Sequence, residues 1–168
     1  MELVISDTNI FIDVISLGMA DVLFQLPYKI VTLDLVLGEI EEVWQMEVME
    51  RAVKSGALGV KVMSGHEMAE AMEFKRTFRG NVSLVDVSII RYAIATGADV
   101  FTGDRSMRTQ AEERGVTVRG ILFIFDEFVS RGLVHPSIAA AKLEELVGRN
   151  KRLPRGECLR RIEAWSRQ

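Results

Sequence analysis

Five short apolar runs alternate along the chain with longer stretches whose apolar residues recur at helical spacing. They are LVIS (residues 3–6), KIVTL (29–33), LGVKVM (58–63), DVFTG (99–103) and VTVRG (116–120). Short apolar strands separated by helices pair in parallel through crossovers, with both faces of the sheet covered. The expected fold class is therefore α/β, a doubly wound sandwich with a mainly parallel five-stranded sheet and helices on both faces. A strand order of 3-2-1-4-5 makes the first and fourth strands neighbours, and ligands in such sheets bind beyond the strands' carboxyl ends where the order reverses.

Turn residues refine this outline. The first strand leads into a helix over residues 10–26, and Pro27-Tyr28 breaks the chain before the second strand. After Asp34, which reads as a helix cap, apolar spacing predicts one helix running from residue 35 to Gly56. Residues 66–78 form a polar helix, Gly80-Asn81 interrupts it, and SLVDVSIIRYAIATG is an apolar helix ending at Gly97. A charged helix begins at Asp104, and two more cover residues 121–131 and 136–147. With 168 residues, one domain is expected over residues 1–148, followed by a basic helical tail, residues 149–168, that is not a separate domain. The tail carries seven Lys/Arg and two Asp/Glu, net +5, against −8 for the preceding residues. A basic excess of this kind either meets phosphates or is a solvated helix end.

Four acids stand where chemistry is expected. Asp7 and Asp104 follow the first and fourth strands, so the expected order brings their carboxylates together. Asp86 shares a helix with Ile89, Ile90, Ala93 and Ile94 and lies on or beside their buried face. Glu39 has Leu35, Val36, Val43 and Met46 at its helical neighbour positions and is expected on an apolar stripe, unlike Glu41 and Glu42. A carboxylate there is costly unless paired or metal-bound. Asp7 and Asp104 also read as helix caps, and Asp86 as the partner of Ser83 in a capping box. Four carboxylates in one crevice without a neighbouring cation favour one or two hard divalent ions, Mg²⁺ or Mn²⁺, and hydrolysis of a phosphodiester.

Other residues exclude rival classes. Cys158 is the sole cysteine, which rules out an internal disulfide and a cysteine zinc cage, and it reads as a plain thiol. His66 and His135 have no expected ligand partners. SDTNIF lacks the glycine-rich turn of a dinucleotide-binding fold, and no phosphate-cradling Gly-Lys-Ser/Thr loop occurs. Asn9 stands where a haloacid-dehalogenase-like phosphatase needs a second Asp. The amino-terminal stretch does not read as a secretory signal and no run reaches a membrane span, so a cytoplasmic protein without membrane contact is expected. Trp44 is expected in the core, and Trp165 with Leu159 and Ile162 on a stripe that docks the tail. Arg76, Arg79, Arg105 and Arg108 are candidate contacts for substrate phosphates.

In order, DTNIFID, LVLGEIEE, SLVDVSII and VFTGDRSMR resemble the PIN-domain family of nucleases, and residues 116–165 resemble its branch with a helical carboxy-terminal extension. The resemblance covers nearly the whole chain. It implies a PIN-like fold and a metal-dependent ribonuclease site whose acids map onto Asp7, Glu39, Asp86 and Asp104. Asn9 and Thr102 match the polar positions that support the first and last acids, with Ser83 and Ser106 as weaker supports. It further implies an RNA substrate, a homodimer and, as for many relatives, an antitoxin partner. The alternative is a PIN-like module that binds nucleic acid or protein without cutting.

Overall fold

The computed structural model describes residues 2–167; Met1 and Gln168, the outermost residues of the expected domain and tail, lie outside the described residues. The elements are β1 (Glu2–Ser6), α1 (Thr8–Ser16), α2 (Ala20–Leu23), β2 (Tyr28–Leu33), α3 (Asp34–Leu37), α4 (Val43–Lys54), β3 (Gly59–Lys61) and α5 (Gly65–Lys75). They continue with α6 (Leu84–Thr96), β4 (Asp99–Phe101), α7 (Arg105–Glu112), β5 (Val118–Arg119), α8 (Ile121–Ser130), α9 (Pro136–Arg149) and α10 (Arg155–Ser166). The sheet order is β3-β2-β1-β4-β5 and every pairing is parallel, as expected. Val4 and Ile5 of the central β1 are fully buried, which is why LVIS lacks polar alternation.

Two expected helices are broken. The stretch 10–26 becomes α1 and α2 because Gly18 takes a left-handed conformation, φ 69°, that other residues adopt at a cost. The expected helix from residue 35 to Gly56 becomes the four-residue α3, a turn, and α4. Gly38 weakens a helix there, and the turn carries Ile40 into the core while Glu39, Glu41 and Glu42 stay in solvent. The helical phase is lost across this break. In α4 the inward residues are Gln45, Met49 and Ala52, whereas Val43 is 75% and Trp44 48% exposed. Trp44 is thus a surface residue and not part of the core.

The carboxy-terminal helices fold onto the body. Cys158, Ile162 and Trp165 share one face of α10, and Trp165 stacks on Phe125 of α8 at 6.3 Å and 20°. Arg161 grips Asp126 through two hydrogen bonds of 2.8 and 2.7 Å. Leu159, expected on this stripe, is 53% exposed, and buried Cys158 takes its place. Between α9 and α10, the Asn150 amide donates to Asp13 at 3.0 Å. Among the described residues no helix is long and apolar enough to cross a membrane.

Candidate active site

Parallel strands deliver their following residues to one edge of the sheet. There the Asp7 N–H continues the β1–β4 pairing by donating to the Phe101 carbonyl at 3.0 Å, which sets the end of β1 beside the end of β4. Asp7 is 4% exposed and caps α1: its Oδ1 accepts the Asn9 N–H at 2.7 Å. Its Oδ2 accepts the Thr102 hydroxyl and, at 3.5 Å, the Asn9 amide. Asp104 caps α7, its Oδ1 accepting the Met107 N–H at 2.7 Å. Fully buried Thr102 links the two, since its Oγ1 donates to Asp7 and accepts the Asp104 N–H at 3.0 Å.

Asp86 closes the α6 capping box with Ser83. Ser83 N–H donates to Asp86 Oδ2 at 3.2 Å, and Asp86 N–H donates to the Ser83 hydroxyl at 3.0 Å. The cap readings of Asp7, Asp86 and Asp104 all hold, yet capping leaves Asp86 Oδ1 and Asp104 Oδ2 without a hydrogen bond among the described residues. Burial pushes Asp7 up to about 6; hydrogen bonds from Thr102 and Asn9 pull against it, and the charge of Asp86 adds to it. Burial also raises Asp86; Ser83 offsets part of the rise, the Asp104 charge adds to it, and Lys75 lowers it. Asp7 therefore feels the charge of Asp86, and Asp86 that of Asp104.

Glu39 reaches this group differently from the way its spacing suggests. It is exposed, on the turn after α3, and its Oε2 accepts the Thr8 hydroxyl at 2.5 Å, immediately beside Asp7. The apolar stripe expected around Glu39 does not exist, because the helix that would carry it is broken. Its anchor, buried Thr8, was not among the expected supports; only its place inside DTN pointed to it. Asp34 also acts here: its Oδ1 accepts the Leu35 N–H at 3.0 Å and the Met63 N–H at 3.2 Å, tying the start of α3 to the segment after β3.

The remaining candidates divide. Ser106 is exposed on the first turn of α7 and makes no hydrogen bond to an acid among the described residues. Arg105 and Arg79 are exposed and carry no ion pair among them, while Arg76 pairs with Glu73 at 3.2 Å. Arg108 is engaged by the fold, donating to the Val118 carbonyl at 3.0 Å and to Glu112 at 3.2 Å. Exposed His66 lies 3.5 Å from Glu70, an acid partner one helical turn away, and His135 caps α9.

Among the described residues no three acid, histidine or cysteine side chains stand together closely enough to hold an ion as placed. The donor chemistry nevertheless fits a hard divalent cation. The aspartates offer only oxygen, two of those oxygens are uncommitted, and the charge of Asp86 on Asp7 and of Asp104 on Asp86 is what a cation relieves.

Several solved structures resemble the chain at a distance. VapBC2 from Rickettsia felis, bound to a DNA fragment from its promoter, is 14% identical with a TM-score of 0.49, covering 70% of this chain and 98% of that one. A PilT N-terminus domain protein from the archaeon Sulfolobus solfataricus P2 is 16% identical with a TM-score of 0.43, covering 76% and 93%. FitAcB from Neisseria gonorrhoeae is 13% identical with a TM-score of 0.39, covering 68% and 95%. No curated protein matches the chain. The sequence pattern is decisive where these likenesses are not: the PIN-domain family model matches residues 3–167, and the chain belongs to that family.

Proposed function

We propose that this protein is a metal-dependent endoribonuclease that hydrolyses RNA phosphodiester bonds. The observation that carries the reading is the linkage of buried Asp7 to Asp104 through Thr102, with burial raising Asp7 to about 6 and the nearby charge of Asp86 adding to the rise. A fold gains nothing in stability from crowding carboxylates, so their convergence points to function. Asp7, Asp86 and Asp104, with Glu39 brought in by Thr8, would hold one or two Mg²⁺ or Mn²⁺ ions. A bound divalent ion supplies Lewis-acid stabilisation of the charge that builds on the phosphoryl oxygens.

The chain's own side chains do the rest. Thr102 and Asn9 hold both oxygens of Asp7, so its carboxylate cannot rotate away from the crevice. Asp86 Oδ1 and Asp104 Oδ2 are the oxygens left to ligate or to accept a proton. Arg79 and Arg105 are available for substrate phosphates, and Arg76 is so once released from Glu73. Arg108 is not available, because β5 holds it. Family membership extends the reading to a toxin with an antitoxin partner and a homodimeric state, with residues 1–148 as the nuclease unit and 149–168 as its docked extension.

The test is cleavage of single-stranded and structured RNA with Mn²⁺ or with chelator, using the protein beside Asp7→Asn and Asp104→Asn. Cleavage that persists in both variants overturns the assignment. One observation favours a non-cutting binding module: each of the three aspartates has a structural task at a helix N-terminus. On that reading RNA or a protein partner binds, nothing is cut, and Mn²⁺ makes no difference.

A further inference from the structure

Asp86 is the aspartate least well fixed by the sheet. Asp7 and Asp104 directly follow or flank β1 and β4, whereas Asp86 sits on the first turn of α6, after an eight-residue connection from α5. Beneath that connection lies a second, small apolar cluster, in which Ala71, Val82 and Val87 are buried with Phe74, Phe78 and Leu84 against them. Phe78 packs against this cluster and against the main core, so it is a joint between the two.

Arg114, just beyond α7, closes on this joint. Its guanidinium lies 3.8 Å from the centroid of the Phe78 ring and 5.7 Å from that of Phe74. Its Nη2 donates to the Thr77 carbonyl at 2.9 Å and the Thr77 hydroxyl at 3.4 Å. Its Nη1 donates to the Gln110 carbonyl at 2.8 Å and the Gln110 side-chain oxygen at 3.0 Å. Gln110, itself buried, spends its amide on the Arg79 carbonyl at 3.4 Å. One planar cation thus ties the helix capped by Asp104 to the connection that ends in the Ser83–Asp86 box. Lysine cannot reproduce this, because it has no fork to donate in two directions and no planar face for the ring.

We infer that Arg114 is a positioning residue for Asp86: it clamps the α5–α6 connection to α7 and so sets where Asp86 stands relative to Asp104. This rests on reading the aspartates as a divalent-ion site. It assigns a role in that site to a side chain that touches neither ion nor substrate.

The experiment uses the full chain and Mn²⁺ alone as probe. Calorimetric Mn²⁺ titration and amide hydrogen exchange are compared for the protein, Arg114→Ala, Arg114→Lys and Asp86→Asn. Ile124→Val, in the buried face of α8, serves as a control that lowers the melting temperature elsewhere. Arg114→Ala and Arg114→Lys are expected to weaken Mn²⁺ binding about tenfold, the scale of effect for groups that orient ligands. They should also speed exchange over residues 77–87 and leave α9 and α10 unchanged, while Ile124→Val leaves Mn²⁺ affinity intact. Unchanged exchange over residues 77–87 overturns the clamp. Faster exchange with unchanged Mn²⁺ affinity, when Asp86→Asn loses it, overturns the positioning role. If Asp86→Asn binds Mn²⁺ as the protein does, the ion-site reading fails and takes the positioning role with it, and the exchange data still decide whether the clamp exists.

Discussion

The two ends of the sheet treat charge in opposite ways. Glu2, Tyr28 and Asp99 begin β1, β2 and β4, and there the carboxylates of Glu2, Asp99 and Glu127 each have a cationic partner. Arg119 bonds Asp99 at 2.6 Å, reaches Glu2 at 3.4 Å and lies 4.4 Å from the Phe123 ring centroid, while Glu127 accepts from Tyr28 at 2.8 Å and from Arg131 at 2.7 Å. The hydrogen bond from Arg119 to Asp99 raises the guanidinium further above its ordinary range. Beyond the carboxyl ends, Asp7 and Asp104 are linked through Thr102 and Asp86 lies near enough for its charge to act on Asp7, with no directly paired cation among the described residues. One end is neutralised for stability. The other keeps like charges close, the arrangement expected where a ligand supplies the missing charge.

Substitutions can break this contrast. The largest expected effect is on cleavage: Asp7→Asn and Asp104→Asn should each lower the single-turnover rate with Mn²⁺ by about a hundredfold or more. Rates within tenfold of the parent would remove the carboxyl end's claim to chemistry. The same Asp7→Asn change should stabilise the fold. Raising Asp7 from 3.8 to about 6 corresponds to roughly 3 kcal/mol against folding when the carboxylate is ionised. Above pH of about 6 that penalty is fully present; the folded protein takes up the proton first as pH falls, so stability recovers through the window down to 3.8. In chelator, denaturant unfolding should therefore show Asp7→Asn more stable by about 2–3 kcal/mol at pH 8 and little different at pH 3.5. A loss of stability at pH 8 would mean that the charge is relieved by the fold.

At the opposite end Arg119→Ala should destabilise by about 1–2 kcal/mol and leave Mn²⁺ affinity untouched, the partial exposure of the guanidinium keeping the effect modest. Thr8→Val, which frees Glu39, should reduce cleavage by about tenfold with a smaller change in stability. An unchanged rate would leave Glu39 as a surface acid. Ser106→Ala should do least, staying within about 0.5 kcal/mol in stability and leaving cleavage unchanged, as befits an exposed hydroxyl without a partner among the described residues.

Much of the fold and part of the site were legible in the chain. Parallel pairing and the places of Asp7 and Asp104 after β1 and β4 follow from short apolar runs ending in capping residues, while the strand order was an expectation that the pairing of β1 with β4 met. The error at Glu39 has a definite origin. Periodicity identifies a helical face only while the helix continues, and between Leu37 and Val43 the burial of Ile40 outweighs continuation of a helix already weakened at Gly38. The same break put Trp44 on the surface and removed the stripe that made Glu39 look buried. Thr8 and Arg114 were missed for another reason. Their roles lie in partners 31 and 37 residues away along the chain.

By itself the sequence determined the alternation of strands and helices, hence the layers, and which acids follow the strands, because apolar periodicity and capping are local properties that the backbone reads within a few residues. Only the tertiary structure decided that the Asp7 carboxylate is bound by Thr102, that Glu39 arrives by way of Thr8, that β5 occupies Arg108, and that Arg114 holds the approach to Asp86. Those are contacts between distant segments. They are set by how buried surface and hydrogen bonds balance across the whole molecule, and no local pattern records that balance.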